Sequence, residues 1–303
     1  MQKYNNLIKR NGLEVNKVTL KGSATIIYTP LGPFVIKNNK GIRIYDYLLS
    51  RGFDYFPKII DYDNEYILFE YINDISYDND EKASDFIKLL SFLHSKTSYF
   101  KDIDVDEYKE TYEKLMYKID DLYNYYNNLI NIIENKEYMS PAEYLIARNI
   151  SIIFSAINYC RGECNKYLDL IKKKNKKRVV TLYNNIDINN LLKSKDNIYL
   201  TGLDHASVGI PVYDLYNFYE KYSSNFDFSS LLKLYKKLNP LNEEELSLLF
   251  VLISIPDKIF INNRVNNIKN VKDSINKIYN TLKVLNFEEE ERRKAHEKED
   301  NEK

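Results

Sequence analysis

Val180-Thr181-Leu182-Tyr183-Asn184-Asn185-Ile186-Asp187-Ile188-Asn189-Asn190-Leu191-Leu192 is the stretch on which the reading of this 303-residue chain turns. An apolar run enters a polar loop and leaves it through a second apolar pair. Asp187 is the only carboxylate in that loop. Downstream come Ile198-Tyr199-Leu200-Thr201-Gly202-Leu203-Asp204 and then Gly209-Ile210-Pro211-Val212-Tyr213-Asp214-Leu215. The order is strand, loop, strand, acidic turn, then a segment that opens a helix.

Around this core the composition sets bounds. The chain has 44 acidic and 44 basic residues. With no net charge, no whole-chain field favours nucleic acid or an acidic membrane, and no nucleic-acid partner is expected. No stretch approaches the ~20 apolar residues that span a bilayer, so no transmembrane segment is expected. Met1-Gln2-Lys3-Tyr4-Asn5-Asn6 lacks the apolar core of a secretory signal, and the expected location is the cytoplasm. Cys160 and Cys164 fall on one face of a helix. A metal site needs about four ligands, and His94, His205 and His296 are scattered. The two thiols are expected to be reduced and inert. The 28 tyrosines and the abundant Asn, Lys and Ile share AT-rich codons, which points to genomic bias.

The first quarter carries strand signals. Val18–Lys21 and Thr25–Tyr28 flank Gly22-Ser23, and Thr29-Pro30-Leu31-Gly32-Pro33 reads as a turn before Phe34–Lys37. A helix is expected from about Lys40 to Ser50. A hairpin follows, Ile59–Tyr62 with Tyr66–Ile72. From Asp80 the period changes to that of a helix, with Ala83, Phe86, Ile87, Leu90 and Leu93 on one face. Long helices are expected over about 104–136 and 140–174, the second capped by Ser140 with Pro141 in its first turn. The basic run Lys172–Arg178 is expected to be a solvated loop. Further helices are expected at about 212–222, 227–238, 242–255 and 265–286, and a charged tail from Glu288 that frays. A strand-rich start followed by helices fits an α+β protein.

The opening loop resembles that of the aminoglycoside phosphotransferase-like family, which runs His-Gly-Asp-x-x-x-x-Asn-x-Leu. Tyr183 stands at the His and Asn185 at the catalytic Asp. The resemblance implies a protein-kinase-like, two-lobed fold. Residues 1–72 would form an N-lobe with a five-stranded antiparallel sheet and one helix. Residues 73–287 would form a helical C-lobe, and 288–303 the tail. It implies ATP and Mg²⁺ as cofactors if nucleotide binding survives, with Lys37, Glu70 and Ile72 at the nucleotide and the hinge near Glu70-Tyr71-Ile72. Phosphoryl transfer needs a strand lysine, a base and metal ligands. Lys37 fills the first role, although the following helix offers Asp46 and no Glu as its partner. Gly22-Ser23 is a sparse phosphate loop. At the base position Asn185 cannot accept a proton, a loss that typically costs ~10²–10⁴-fold; Asp187 is the substitute on offer. Asn190 matches one metal ligand. Gly202 replaces the Asp that supplies the other, and Asp204 falls at the second carboxylate of the family's Asp-x-Asp/Glu pattern, which leaves a weakened metal site. Asp214 is expected to be structural.

Further segments are similar to the CotS/YsxE-type spore coat branch of the same superfamily. They are His94-Ser95-Lys96-Thr97, Tyr138–Leu145, Arg178–Leu182 and Pro211–Leu215. That branch tends to lack the loop Asp. The resemblance covers about residues 15–285. It implies a degenerate kinase-like protein, a pseudokinase, acting as a binding or coat-assembly module with spore coat proteins as partners. The alternative is an active ATP-dependent small-molecule phosphotransferase with a non-standard site.

Overall fold

The computed structural model describes residues 4–261 and 267–301. Residues 265 and 266 of the expected last helix lie outside them, as do the two ends of the chain. In chain order the elements begin α1 (Asn5–Arg10), β1 (Lys17–Lys21), β2 (Ala24–Thr29), β3 (Gly32–Asn38), α2 (Ile42–Ser50), β4 (Ile59–Tyr62), β5 (Tyr66–Glu70) and α3 (Asn79–Thr97). They continue β6 (Tyr99–Asp102), α4 (Val105–Glu134), α5 (Pro141–Ile171), β7 (Lys176–Leu182), β8 (Leu191–Lys193), β9 (Ile198–Leu200) and β10 (Ser207–Gly209). Last come α6 (Val212–Tyr222), α7 (Phe228–Leu238), α8 (Glu243–Ser254) and α9 (Asn267–Asn301). The chain is α+β, a small antiparallel sheet followed by a mostly helical remainder. Among the described residues no helix is long and apolar enough to cross a membrane.

Contacts divide the chain into two compact units, but not at residue 72. Of the described residues, the first holds those up to Ser98 together with Val180–Gly209; the second holds Tyr99–Val179 and those from Ile210 onward. The loop segment thus belongs with the sheet.

In the first unit the five-stranded sheet has the order β1-β2-β3-β5-β4. Side chains alternate across a strand, and this splits the sheet's two faces. Ile27, Ile36 and Leu68 point to one face, against Tyr4 and Ile8 of the N-terminal segment. Ile26, Val35, Lys37 and Phe69 point to the other. The sequence reading expected one helix beside this sheet; α1 is a second. It buries Leu7, and Arg10 grips Asp61 with its Nε 2.6 Å from Oδ2. That guanidinium holds the Asp61 carboxyl below its usual range.

In the second unit α5 begins as the sequence predicts. The Ser140 hydroxyl accepts the Glu143 N–H, Glu143 accepts the Ser140 N–H at 2.7 Å, and Pro141 occupies the first turn. Helices α4 and α5 share a core of Ile119, Leu122, Tyr126, Ile146, Ile153 and Ile157. Both cysteines are buried there and unpaired with each other; burial pushes the Cys164 thiol up to about 11, so it is a poor nucleophile at neutral pH.

Two expectations fail in this unit. The basic run is not a solvated loop, because Lys177 and Arg178 lie inside β7, with Lys177 buried. Lys177 Nζ reaches Glu107 at 2.5 Å, and Arg178 forks onto Glu245 at 2.9 and 2.6 Å. The charged tail does not fray at Glu288 either. Helix α9 runs on to Asn301, and Glu288 is buried with Lys236 Nζ 2.7 Å from Oε1. In both places a net-neutral chain has matched its like-charge runs to opposite charges far along the sequence.

Candidate functional site

Gly22, Ser23, Lys37, Glu70, Ile72, Asn190 and Gly202 line one cleft inside the first unit. Its volume is about 330 Å³, at the lower end of small-molecule sites. One wall is the sheet face carrying Ile26, Val35 and Phe69. The other is the loop segment with Asn190, Leu192, Leu200 and Gly202.

Lys37 stands on the central strand of the sheet, paired across to Ile67 of β5. The two-fold alternation that buries Ile36 away from the cleft turns Lys37 into it. Among the described residues the Lys37 side chain has no ion pair or hydrogen bond. Burial lowers its pKa, and Asp204 partly offsets this. The neighbouring helix does not supply Asp46, which faces solvent. Tyr45, one residue earlier, is buried and lines the cleft, packed edge-on against Phe56 and Phe69 with centroids 5.0 and 5.6 Å away. Burial and Asp204 both raise its phenol pKa, so it remains neutral.

These surroundings make Lys37 a cost to the fold. Lys37→Met is expected to stabilise the protein by about 0.5–2 kcal/mol, the usual range for relief of functional strain. The lysine's folded-state pKa is depressed, so the unfolded chain holds the proton more tightly. The variant's advantage should therefore be complete below the folded-state value. It should disappear as pH rises from that value toward the ordinary lysine value. Urea melts of both proteins at neutral and alkaline pH measure this; a Lys37→Met variant less stable at neutral pH would refute it.

The turn between β1 and β2 is the two-residue Gly22-Ser23, with Lys21 opposite Ala24. Gly22 has φ 59°, as a glycine-first tight hairpin requires. At the other end of the cleft, the Glu70 carboxylate accepts the Lys58 N–H at 2.9 Å. The Ile72 backbone, beyond the end of β5, makes no hydrogen bond among the described residues.

The loop is tightly made. Thr97 at the end of α3 accepts the Thr181 N–H at 2.9 Å. Tyr183 is fully buried, edge-on to Phe86, with its hydroxyl donating to Thr201 O at 2.5 Å. It props the loop from beneath and leaves the cleft open. Asn184 has φ 59° and donates to His205 O and Ser207 Oγ at 2.9 and 2.8 Å. Asparagine tolerates the left-handed conformation better than other non-glycine residues, so it serves where the resembling loop has Gly. Asp187 accepts the Asn189 N–H at 2.8 Å and caps the 3-10 turn Ile188–Asn190; it does not line the cleft.

Asn185 and Gly202 are in contact. Gly202 has φ 79°, and a Cβ there would sit 2.4 Å from Asn185 Nδ2. The Asn185 amide fills the space of the missing side chain and donates to Gly202 O at 3.5 Å. Asn190 Nδ2 donates to Asn185 O at 3.1 Å. Asp204 lies in a 3-10 turn against α2, with Lys40 Nζ at 3.7 Å and His205 Nε2 at 3.5 Å. The structure therefore brings Lys37, Glu70, Ile72, Asn190 and Gly202 to the cleft and Asp204 to an adjoining recess shared with Lys37. Tyr45 was missed in the sequence because no pattern says which side of a short helix faces a ligand.

The sequence matches no protein-family model and no curated protein. Solved structures do match. An aminoglycoside phosphotransferase from Alicyclobacillus acidocaldarius superposes with a TM-score of 0.65 at 8% identity, covering 91% of this chain and 92% of its own. The AMP-bound spectinomycin phosphotransferase APH(9)-Ia superposes with a TM-score of 0.52 at 14% identity, covering 93% and 98%. The fold is thus that of the kinase-like phosphotransferases.

Proposed function

We propose that this chain is a degenerate kinase-like protein that binds an adenine nucleotide and does not transfer its phosphoryl group efficiently. The observation that carries this reading is the contrast within one cleft. The nucleotide-facing parts are kept: the apolar walls, Lys37, and the unbonded backbone of Ile72. The reacting parts are replaced by the interlocked pair Asn185 and Gly202. An active enzyme would need Asp187 as its base, and that carboxylate is turned to cap its own loop. Binding without chemistry suits a module whose nucleotide-bound form is recognised by another protein. From the sequence resemblance we propose a spore coat protein as that partner, which co-fractionation with spores tests.

Thermal unfolding with and without ATP is the direct test. A ligand at ~100 times its Kd stabilises by about 2.7 kcal/mol. The expected result is a clear rise in Tm with ATP or ADP, abolished in Lys37→Ala, and no phosphate release or transfer above background. Turnover that falls with Asp187→Asn would overturn the degenerate reading. No shift at millimolar nucleotide would overturn the binding reading.

A further inference from the structure

Nucleotide phosphates bring several negative charges into a half-buried cleft, and in phosphotransferases of this fold divalent ions meet them. The residues here do not fit such an ion. Mg²⁺ demands near-octahedral oxygen ligands with at least one carboxylate free to bind. Gly202 has no side chain, and the Asn185 amide nitrogen, a donor, fills its place. Asn190 lines the cleft with a neutral amide and no carboxylate, its nitrogen donating to Asn185 O. The Asp204 carboxylate does not line the cleft; it lies in the adjoining recess with Lys37 and Lys40. Among the described residues no group of three or more His, Cys, Asp or Glu could hold a metal.

Cations are present instead. Lys37, Lys40 and Asp204 line one recess with Ser23, and Lys21 lines the cleft beside the same turn. Lys37 has no counter-ion at bonding distance. Lys40 holds Asp204 only at 3.7 Å, with its side chain 56% exposed; a pair of that kind is weak and exchanges readily for a phosphate oxygen. Resting on the nucleotide reading above, we infer that Lys37 and Lys40 take the place of the divalent ion, so that the protein binds its nucleotide metal-free. Asp204 is then a counter-ion to the lysines and a repulsive neighbour of the phosphates.

The two roles of Asp204 give opposite signs. As a metal ligand, its removal weakens binding; as a counter-ion, its removal frees the lysines and leaves binding equal or tighter. Titration calorimetry of the full chain with ATP, in excess EDTA and in millimolar MgCl₂, tests this on the unaltered protein. The expected affinities agree within about threefold. Asp204→Ala should bind ATP as tightly or more so. Lys40→Ala should lose about tenfold or more, as for a charge-assisted hydrogen bond. Binding that appears only with Mg²⁺, or is lost in Asp204→Ala, overturns the inference and leaves the nucleotide reading intact. An unchanged affinity in Lys40→Ala also overturns the inference. No binding in either buffer overturns both.

Discussion

Arg178→Ala is expected to destabilise the protein by about 3–5 kcal/mol, the cost of breaking a buried ion pair by removing one partner. The side chains of Arg178 and Glu245 are 10% and 4% exposed. The guanidinium donates from Nε and Nη2 to the two oxygens of Glu245, and from Nη1 to Asn239 Oδ1 at 3.0 Å. Asn239 in turn donates to the buried Tyr235 hydroxyl, and Glu245 also accepts the Asn242 N–H at the start of α8. Removing the arginine leaves a buried carboxylate with only that backbone donor, and it loosens the strand that carries the chain into the loop. Against a typical total of about 5–15 kcal/mol the loss is large, and a urea melt should show it as an early midpoint. Arg178→Lys should recover little, because an ammonium cannot make the planar fork. Arg178→Met with Glu245→Leu should recover most of it, since an apolar pair of similar volume leaves no stranded charge. A loss below about 1 kcal/mol in Arg178→Ala, the worth of an exposed pair, would contradict this account.

Arg178 also marks what could be seen in the sequence. Local signals were legible. Ser140, Pro141 and Glu143 announced the start of α5, and Pro211 the start of α6, because caps act within a few residues. The resemblance named Lys37 from its place at the end of the third strand run, and the structure puts it on the cleft face of β3. The resemblance gave the fold, since the loop, Gly202–Asp204 and Pro211–Leu215 keep a fixed order. What escaped depends on partners distant along the chain. Seven residues dense in Lys and Arg look solvated until Glu107, Glu244 and Glu245 are seen opposite them. The tail from Glu288 looks loose until Lys233 and Lys236 meet it. Helix α1 is one short turn-and-a-half whose formation depends on the sheet beneath it. For the site itself, the resemblance pointed to Asn185 and Gly202 together as departures from the family's carboxylates, without placing them side by side. Only the structure shows them touching.

That contact leads to the second large effect. Gly202→Asp, which restores the acidic residue of the resembling family, is expected to destabilise the protein by about 2–5 kcal/mol and to restore no activity. The left-handed φ of 79° costs a side chain about 1–2 kcal/mol. Overpacking adds about 1–3 kcal/mol, because the new Cβ would lie 2.4 Å from Asn185 Nδ2 and the amide must leave its place. Removing the amide first should relieve the second cost. Gly202→Asp in an Asn185→Ala background is expected to cost at least about 1 kcal/mol less than alone, a coupling typical of residues in contact. Additivity within about 0.5 kcal/mol would deny the interlock. Converting both positions to Asp, the full reversion, should fare worst. Two carboxylates would then share a space now held by one neutral amide, and like charges that close resist joint ionisation. Positions 185 and 202 are thus one packing unit, and a side chain cannot be placed at 202 without moving the Asn185 amide.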